Sequence, residues 1–267
     1  MTDPTSATVH RDNEKDSSSD RDAGGGADGG GGDLVVAIDG PSGTGKSSVS
    51  RAVAQRLHAA YLDTGAMYRA LTWAVLRDGV DIGDPDELAR YAAAAPLEVG
   101  MDPGAPTIGV GGVDVSRAIR EDRVTEAVSR VATNLAVRAD QCARQRALIA
   151  AGLRSHGAVV AEGRDITTVV APDARVRILL TASEEARLTR RARQLTGRSD
   201  EAARTAQRDK VVNRDAVDST VSQFTTAADG VVTLDSSELT FEQSVTAVLE
   251  LVCGPGSDPG GTAGRPG

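Results

Sequence analysis

The octapeptide Gly40-Pro41-Ser42-Gly43-Thr44-Gly45-Lys46-Ser47 fits the pattern GxxxxGK[ST] and stands directly after the apolar run Leu34 to Ile38 and directly before a helical pattern. Glycines at these places let successive backbone N–H groups turn toward phosphate oxygens, and the N-terminus of the following helix adds its dipole. Lys46 reaches the outer phosphates, Ser47 carries a hydroxyl for Mg²⁺, and Ser48 continues the loop's rim. The pattern therefore predicts binding of ATP with Mg²⁺ through Gly40, Pro41, Ser42, Gly43, Thr44, Gly45, Lys46, Ser47 and Ser48. Asp39, at the end of the preceding strand, fits two readings equally: orienting the loop or reaching Mg²⁺ through water, or forming a local turn.

The rest of the composition narrows what such a loop serves. The three lysines (Lys15, Lys46, Lys210) are not in an Asn-Lys-x-Asp context, so a guanine-reading GTPase is not supported. A motor or helicase would need a longer chain than 267 residues. A small-molecule kinase is the best class. When its acceptor is itself a phosphate monoester, largely dianionic at pH 7, no nucleophilic side chain is needed and the difficulty is repulsion between anions. Arginines should then recur around the cleft, and 27 of the 30 cationic residues are Arg.

The elements that must position this chemistry follow an α/β rhythm. Leu34–Ile38, Ala158–Ala161, Val176–Leu180 and Val231–Leu234 read as buried parallel strands. Helical patterns fall between them, at about 46–58, 65–78, 85–95, 121–155, 183–195, 200–216 and 240–252, predicting an α/β three-layer fold. Leu97 to Val115 breaks the rhythm with short β-like pieces between Pro and Gly, predicting a small antiparallel insert at about 97–115. From Arg187 to Arg214 nine bases face three acids, which suits a helical lid closing over a triphosphate.

Residues 1–32 and 254–267, rich in Gly, Ser and Asp, hold too little apolar surface to fold and read as disordered tails around a domain at 33–253. The formal charge of −8 is concentrated there: residues 1–33 hold eight acids and three bases, leaving 30 acids and 27 bases in the remainder. Two cysteines, Cys142 and Cys253, form no CxxC pair, and an aromatic content of 2% argues against a base-stacking nucleic-acid platform. No apolar run approaches 18 residues and no secretion signal opens the chain. The expectation is a cytoplasmic protein without nucleic-acid or membrane partners.

Three stretches together carry a family resemblance: Ile38-Asp39-Gly40-Pro41-Ser42-Gly43-Thr44-Gly45-Lys46, Leu62-Asp63-Thr64-Gly65-Ala66-Met67-Tyr68-Arg69 and Glu162-Gly163-Arg164-Asp165. They closely resemble bacterial cytidylate kinases, nucleoside monophosphate kinases, and the resemblance runs from about Leu34 to Val252. It implies an ATP-dependent kinase of CMP and dCMP, a monomer, whose acceptor-binding part covers about 62–155. The β insert resembles the extension that sets this family apart from adenylate kinases.

By position, Asp63 to Ala66 read as a loop ending in a helix cap, with Thr64 accepting from first-turn N–H groups. Thr64, Tyr68 and Arg69 then share a helix face, and the resemblance places them on the acceptor, Arg69 on its phosphate. Arg164 follows the strand Ala158–Ala161 at the carboxyl edge of the sheet, where open α/β sheets bind ligands. The resemblance gives Arg164 the acceptor phosphate, Asp165 the cytosine edge, and Ser129 and Arg138 the pyrimidine. Arg214 would serve phosphate, and Asp218 ribose. Catalysis would rest on Lys46, Arg164 and Arg214. One departure stands out: the family pattern Arg-Asp-x-x-Asp-Ser-x-Arg, then Ser-Pro-Leu, here reads Arg214 to Phe224 without the second Arg or the Pro. Arg208 is a candidate replacement. Two rival readings remain open at this level, a kinase of another small acceptor and a non-catalytic nucleotide-binding partner module.

Overall fold

The computed structural model describes residues 33–196 and 215–254. The expected tails, and the lid beyond residue 196 with Arg198, Arg204, Arg208, Lys210 and Arg214, lie outside the described residues.

Five parallel strands form the central sheet in the order β2 (Ala60–Asp63), β6 (Ala158–Gly163), β1 (Leu34–Asp39), β7 (Val176–Thr181), β8 (Val232–Asp235). The register sets Asp39 opposite Gly163 and Asp63 opposite Glu162 at the carboxyl ends. Those functional residues therefore share one edge because the strands are parallel and end together.

Alternation along β1 and β6 sorts two cores. Val36, Ile38 and Val160 point to one face, where they bury Val49 and Val53 of α1 (Lys46–Arg56) and Val245 and Val248 of α7 (Phe241–Cys253). Ala37, Val159 and Ala161 point to the other, against α2 (Thr64–Asp78), α5 (Leu135–His156) and the insert. The small side chains on this second face let α5 lie close to the sheet. Gly152 closes the fit, since a Cβ there would meet Val159 Cγ2 at 2.7 Å.

The insert is a three-stranded antiparallel sheet of β3 (Leu97–Gly100), β4 (Thr107–Val110) and β5 (Val113–Asp114), within a residue or two of its predicted pieces. It leads through a 3₁₀ turn, Ala118–Arg120, into α4 (Asp122–Ala132). Two further helices, α3 (Pro85–Ala94) and α6 (Glu184–Thr196), follow the predicted ranges.

Several expectations are corrected. The single helix at 121–155 is two, because Asn134 stops α4 and caps α5, accepting from Ala136 N at 3.0 Å and Val137 N at 3.1 Å. An apolar period running through the junction hid that cap. The stretch before Thr64 is not a loop but strand β2, four residues with no flanking turn signal. β8 is mostly exposed rather than buried, as an edge strand paired only with β7. A π-turn over Ile166–Val170 follows Asp165 and had no sequence signal.

Candidate nucleotide site

A cavity of about 830 Å³ opens at the carboxyl edge of the sheet, lined on one side by Pro41 to Val49 and on the other by residues of α2, α4, α5 and β6. The glycine-rich segment connects β1 to α1, as predicted. Gly43 and Gly45 take left-handed backbone angles, φ 84° and 89°. Gly45 begins α1 without any side-chain cap, so first-turn N–H groups stay available to an anion. Gly40 lies behind the lining, where a Cβ would sit 2.2 Å from the Leu180 carbonyl oxygen.

Arginines hold the loop by its carbonyls. Arg164 Nη1 donates to Gly40 O at 3.1 Å, Arg187 Nη1 to Ser42 O at 3.2 Å and Arg190 Nη1 to Thr44 O at 3.0 Å. With those carbonyls engaged, the loop is fixed by its outer face, and its amides other than that of Ser42 are left for the cavity. Arg187 and Arg190 were expected in the lid; in the structure both serve the loop backbone, and Arg191 and Arg193 line the cavity. The carboxylate of Asp215 accepts from Ser42 N at 3.1 Å and pairs with Arg187 and, at 3.2 Å, with Arg164.

Lys46 Nζ lies 3.0 Å from Glu162 Oε2, a buried carboxylate that also accepts from the Tyr61 hydroxyl at 3.0 Å. Burial and the adjacent carboxylate push the Tyr61 phenol far above its ordinary range, so it stays a donor. Burial and then Glu162 raise Asp63 to about 6. The exposed Ser47 lines the cavity that Asp63 and Glu162 also line, and the three together offer hard oxygen donors that fit Mg²⁺. Asp39 belongs to neither of its predicted phosphate roles. Its carboxylate is fully buried and accepts from Ile166 N (3.0 Å), Thr167 N (2.8 Å) and Thr167 Oγ1 (2.6 Å), fixing the π-turn that carries Asp165.

On the opposite wall, Asp63 rather than Thr64 caps α2, accepting from Ala66 N at 2.8 Å. Thr64 is the first helical residue, and its hydroxyl donates to Glu162 O at 2.8 Å. The correction has a simple cause: β2 delivers the chain one residue earlier than a loop would. Arg69 donates to Ile119 O and Thr125 Oγ1, both at 3.0 Å. Tyr68 is nearly buried under the Arg138 guanidinium, 6.0 Å from its ring centre.

Arg138 pairs with Asp165 and donates to Ser222 Oγ at 2.7 Å. Burial raises Asp165, with the Arg138 charge opposing it. Asp218 takes Arg164 Nε at 2.7 Å and the Ser129 hydroxyl at 2.8 Å, and Phe224 stacks 4.4 Å from the Arg164 guanidinium. Thus Thr64, Tyr68, Arg69, Arg138, Arg164, Asp165 and Asp218 line one cavity. Ser129 stands one layer back, its hydroxyl spent on Asp218.

Sequence reading missed Glu162, although it was in the quoted Glu162-Gly163-Arg164-Asp165. Among the described residues no helix is long and apolar enough to cross a membrane, and no group of three or more His, Cys, Asp or Glu is placed to hold a metal by itself.

A family model described as cytidylate kinase matches residues 36–253. The chain is 49% identical over 222 residues to a cytidylate kinase of Streptomyces griseus, covering 83% of this chain and 93% of that one. It is 50% identical over 223 residues to a cytidylate kinase of Rhodococcus jostii, covering 82% and 94%.

Proposed function

The chain belongs to the cytidylate kinase family and is an ATP-dependent kinase of CMP; we propose that it also phosphorylates dCMP, that Mg²⁺ accompanies ATP, and that the cavity residues divide the work by wall. The carrying observation is that one cavity holds both an amide-lined phosphate loop and a wall of arginines and buried carboxylates.

The loop amides and Lys46 bind the outer phosphates of ATP. Ser47, assisted by Asp63 and Glu162, would hold Mg²⁺, which supplies neutralisation of triphosphate charge. Arg69 holds the acceptor phosphate near the helix end capped by Asp63, with Thr64 beside it. Arg164, tied both to Gly40 O and to Asp218, bridges donor and acceptor sides and fits stabilisation of the charge between them. Arg214 adds to it. Asp165, oriented by Arg138 and its Ser222 contact, accepts from the exocyclic amino group of cytosine, while Tyr68 covers the ring and Ser129 acts through Asp218. Because Asp218 already has Arg164 and Ser129 as partners, losing the ribose 2′-OH strands no buried charge, which favours use of dCMP. The acceptor phosphate is its own nucleophile, so positioning and charge neutralisation are what the protein contributes. The reading includes a monomer acting in the cytoplasm on nucleotides, without nucleic-acid or membrane partners.

The test is ADP release from Mg·ATP with CMP, dCMP, UMP, AMP or shikimate against an acceptor-free control. Turnover with CMP and dCMP well above the others is expected. ATP binding with no acceptor-dependent turnover would overturn the assignment.

A further inference from the structure

The stretch that departs from the family pattern ends in Ser219 to Phe224, six residues without a charge. Where the pattern has a second arginine, this chain therefore brings neutral groups to the cavity wall. Ser222 accepts from Arg138 Nη2 at 2.7 Å, and the Phe224 ring centre lies 4.4 Å from the guanidinium carbon of Arg164. One short segment thus reaches two arginines of the acceptor wall without adding a further cation to repel them.

Phe224 is fully buried, yet its ring belongs to none of the apolar cores packed on the sheet and on α2. Arg164 lines the cavity and Phe224 does not, so the ring backs the guanidinium from the protein side. The edges of that guanidinium are already engaged: Nη1 donates to Gly40 O at 3.1 Å, Nη2 lies 3.2 Å from Asp215 Oδ1, and Nε lies 2.7 Å from Asp218 Oδ2. Partners at the edges fix where a planar group sits within its plane and leave it free to tip out of that plane. Only what lies against a face resists tipping. An aromatic ring suits that place, because the face of a guanidinium is weakly hydrated and is attracted to the π cloud.

We propose that Phe224 is a positioning residue for phosphoryl transfer: its ring sets the plane of the Arg164 guanidinium and so aims that charge at the group passing from ATP to CMP. The inference rests on the reading above that Arg164 stabilises this charge. In the transfer, the bond between the γ-phosphorus and the β–γ bridging oxygen breaks and its electron pair stays on ADP. A bond forms from the γ-phosphorus to a terminal oxygen of the CMP phosphate, and no proton need move because that oxygen is already ionised. A planar cation stabilises the charge on the transferred group only when its N–H groups point at those oxygens. A tipped Arg164 keeps its carboxylate partners and the fold, and meets the transferred group poorly. Phe224 therefore acts on rate more than on affinity, since loop amides, Lys46 and Arg69 hold the ground-state phosphates.

The test is a double-mutant cycle of Phe224→Leu with Arg164→Lys, read as kcat for CMP-dependent ADP release and as calorimetric Kd values for CMP and Mg·ATP, each protein assayed well below its thermal midpoint. Leucine keeps the site apolar and removes the ring face; Phe224→Met serves the same purpose if the leucine variant does not fold. Phe224→Leu should lower kcat about 10-fold, the scale of one desolvated cation–π contact, with both Kd values within about threefold of wild type. In the Arg164→Lys background, which has no guanidinium to orient, the same change should alter kcat by less than about twofold. Wild-type kcat in Phe224→Leu, a loss confined to Kd, or an equal loss of kcat in both backgrounds, as a purely structural role would give, overturns the proposal and leaves the role of Arg164 intact. Wild-type kcat in Arg164→Lys alone overturns that role, and this inference with it.

Discussion

The two walls of the cavity bind by different means. On the loop wall, side chains grip backbone: Arg164, Arg187 and Arg190 take the carbonyls of Gly40, Ser42 and Thr44, Asp215 takes the Ser42 amide, and the other main-chain amides are left for the ligand. On the acceptor wall, side chains grip side chains: Arg138 with Asp165 and Ser222, Asp218 with Arg164 and Ser129. The contrast teaches where specificity resides. A backbone cradle recognises any polyphosphate, whereas a buried carboxylate paired with a half-buried guanidinium rejects a base that leaves them unmatched.

Substitutions at four positions separate the walls or fail to. Lys46→Ala removes the cation that both walls share through Glu162 and should lower kcat about 10³-fold or more at saturating ATP, by loss of charge stabilisation in the transition state. Measured ADP release near wild type would erase the distinction, since no loop residue would then matter to chemistry. Next, Asp165→Ala should cost about 10²-fold in kcat/KM for CMP, the scale of an unpaired buried partner, with Kd for ATP unchanged by calorimetry. An equal loss for both nucleotides would show that the walls are one unit.

Smaller effects come from the supports. Arg190→Ala frees Thr44 O and Ser236 and should raise KM for ATP about 10-fold, one charge-assisted hydrogen bond, leaving KM for CMP alone. Steady-state kinetics with each substrate varied decides it. The smallest change in turnover is expected from Asp39→Asn, which is read through stability. Burial raises the Asp39 carboxyl from 3.8 to about 6, so the folded state binds its proton more tightly than the unfolded chain. The stability this provides is fully present below about pH 4, declines as pH rises toward 6 and is gone above it. Two pKa units correspond to about 3 kcal/mol. Urea unfolding of wild type and Asp39→Asn between pH 4 and 7 should therefore show a gap that changes by an amount of that order. A constant gap would mean that Ile166 and Thr167 hold Asp39 ionised at every pH.

How much of this was legible in the sequence differs by wall in the same way. The loop, its strand and its helix were read at once, because a backbone cradle is built by consecutive residues whose glycines mark its turns. Position alone put Arg164 at the carboxyl edge of the sheet and Arg69 on a helix face with Thr64 and Tyr68, but the roles of Arg69, Arg138, Arg164 and Asp165 came from the family resemblance, since residues from 69 to 165 become neighbours only after the chain folds. Asp39 was ambiguous because a strand-end carboxylate can face the loop or the next crossover, and only the position of Thr167 resolves it. Thr64 was misassigned as a cap because β2 is too short to announce itself, and four residues of strand move the helix start by one.

By itself the sequence determined that a parallel sheet carries a phosphate loop, because apolar runs, glycine spacing and a single lysine in register are local properties. Only the tertiary structure decided which carboxylate meets Lys46 and which arginines hold the loop instead of the ligand. The physical reason is that long ionised side chains reach many partners from one backbone position. The choice among them is made by strand register, by helix packing through Gly152 and the alanines, and by the cost of leaving any buried charge unpaired.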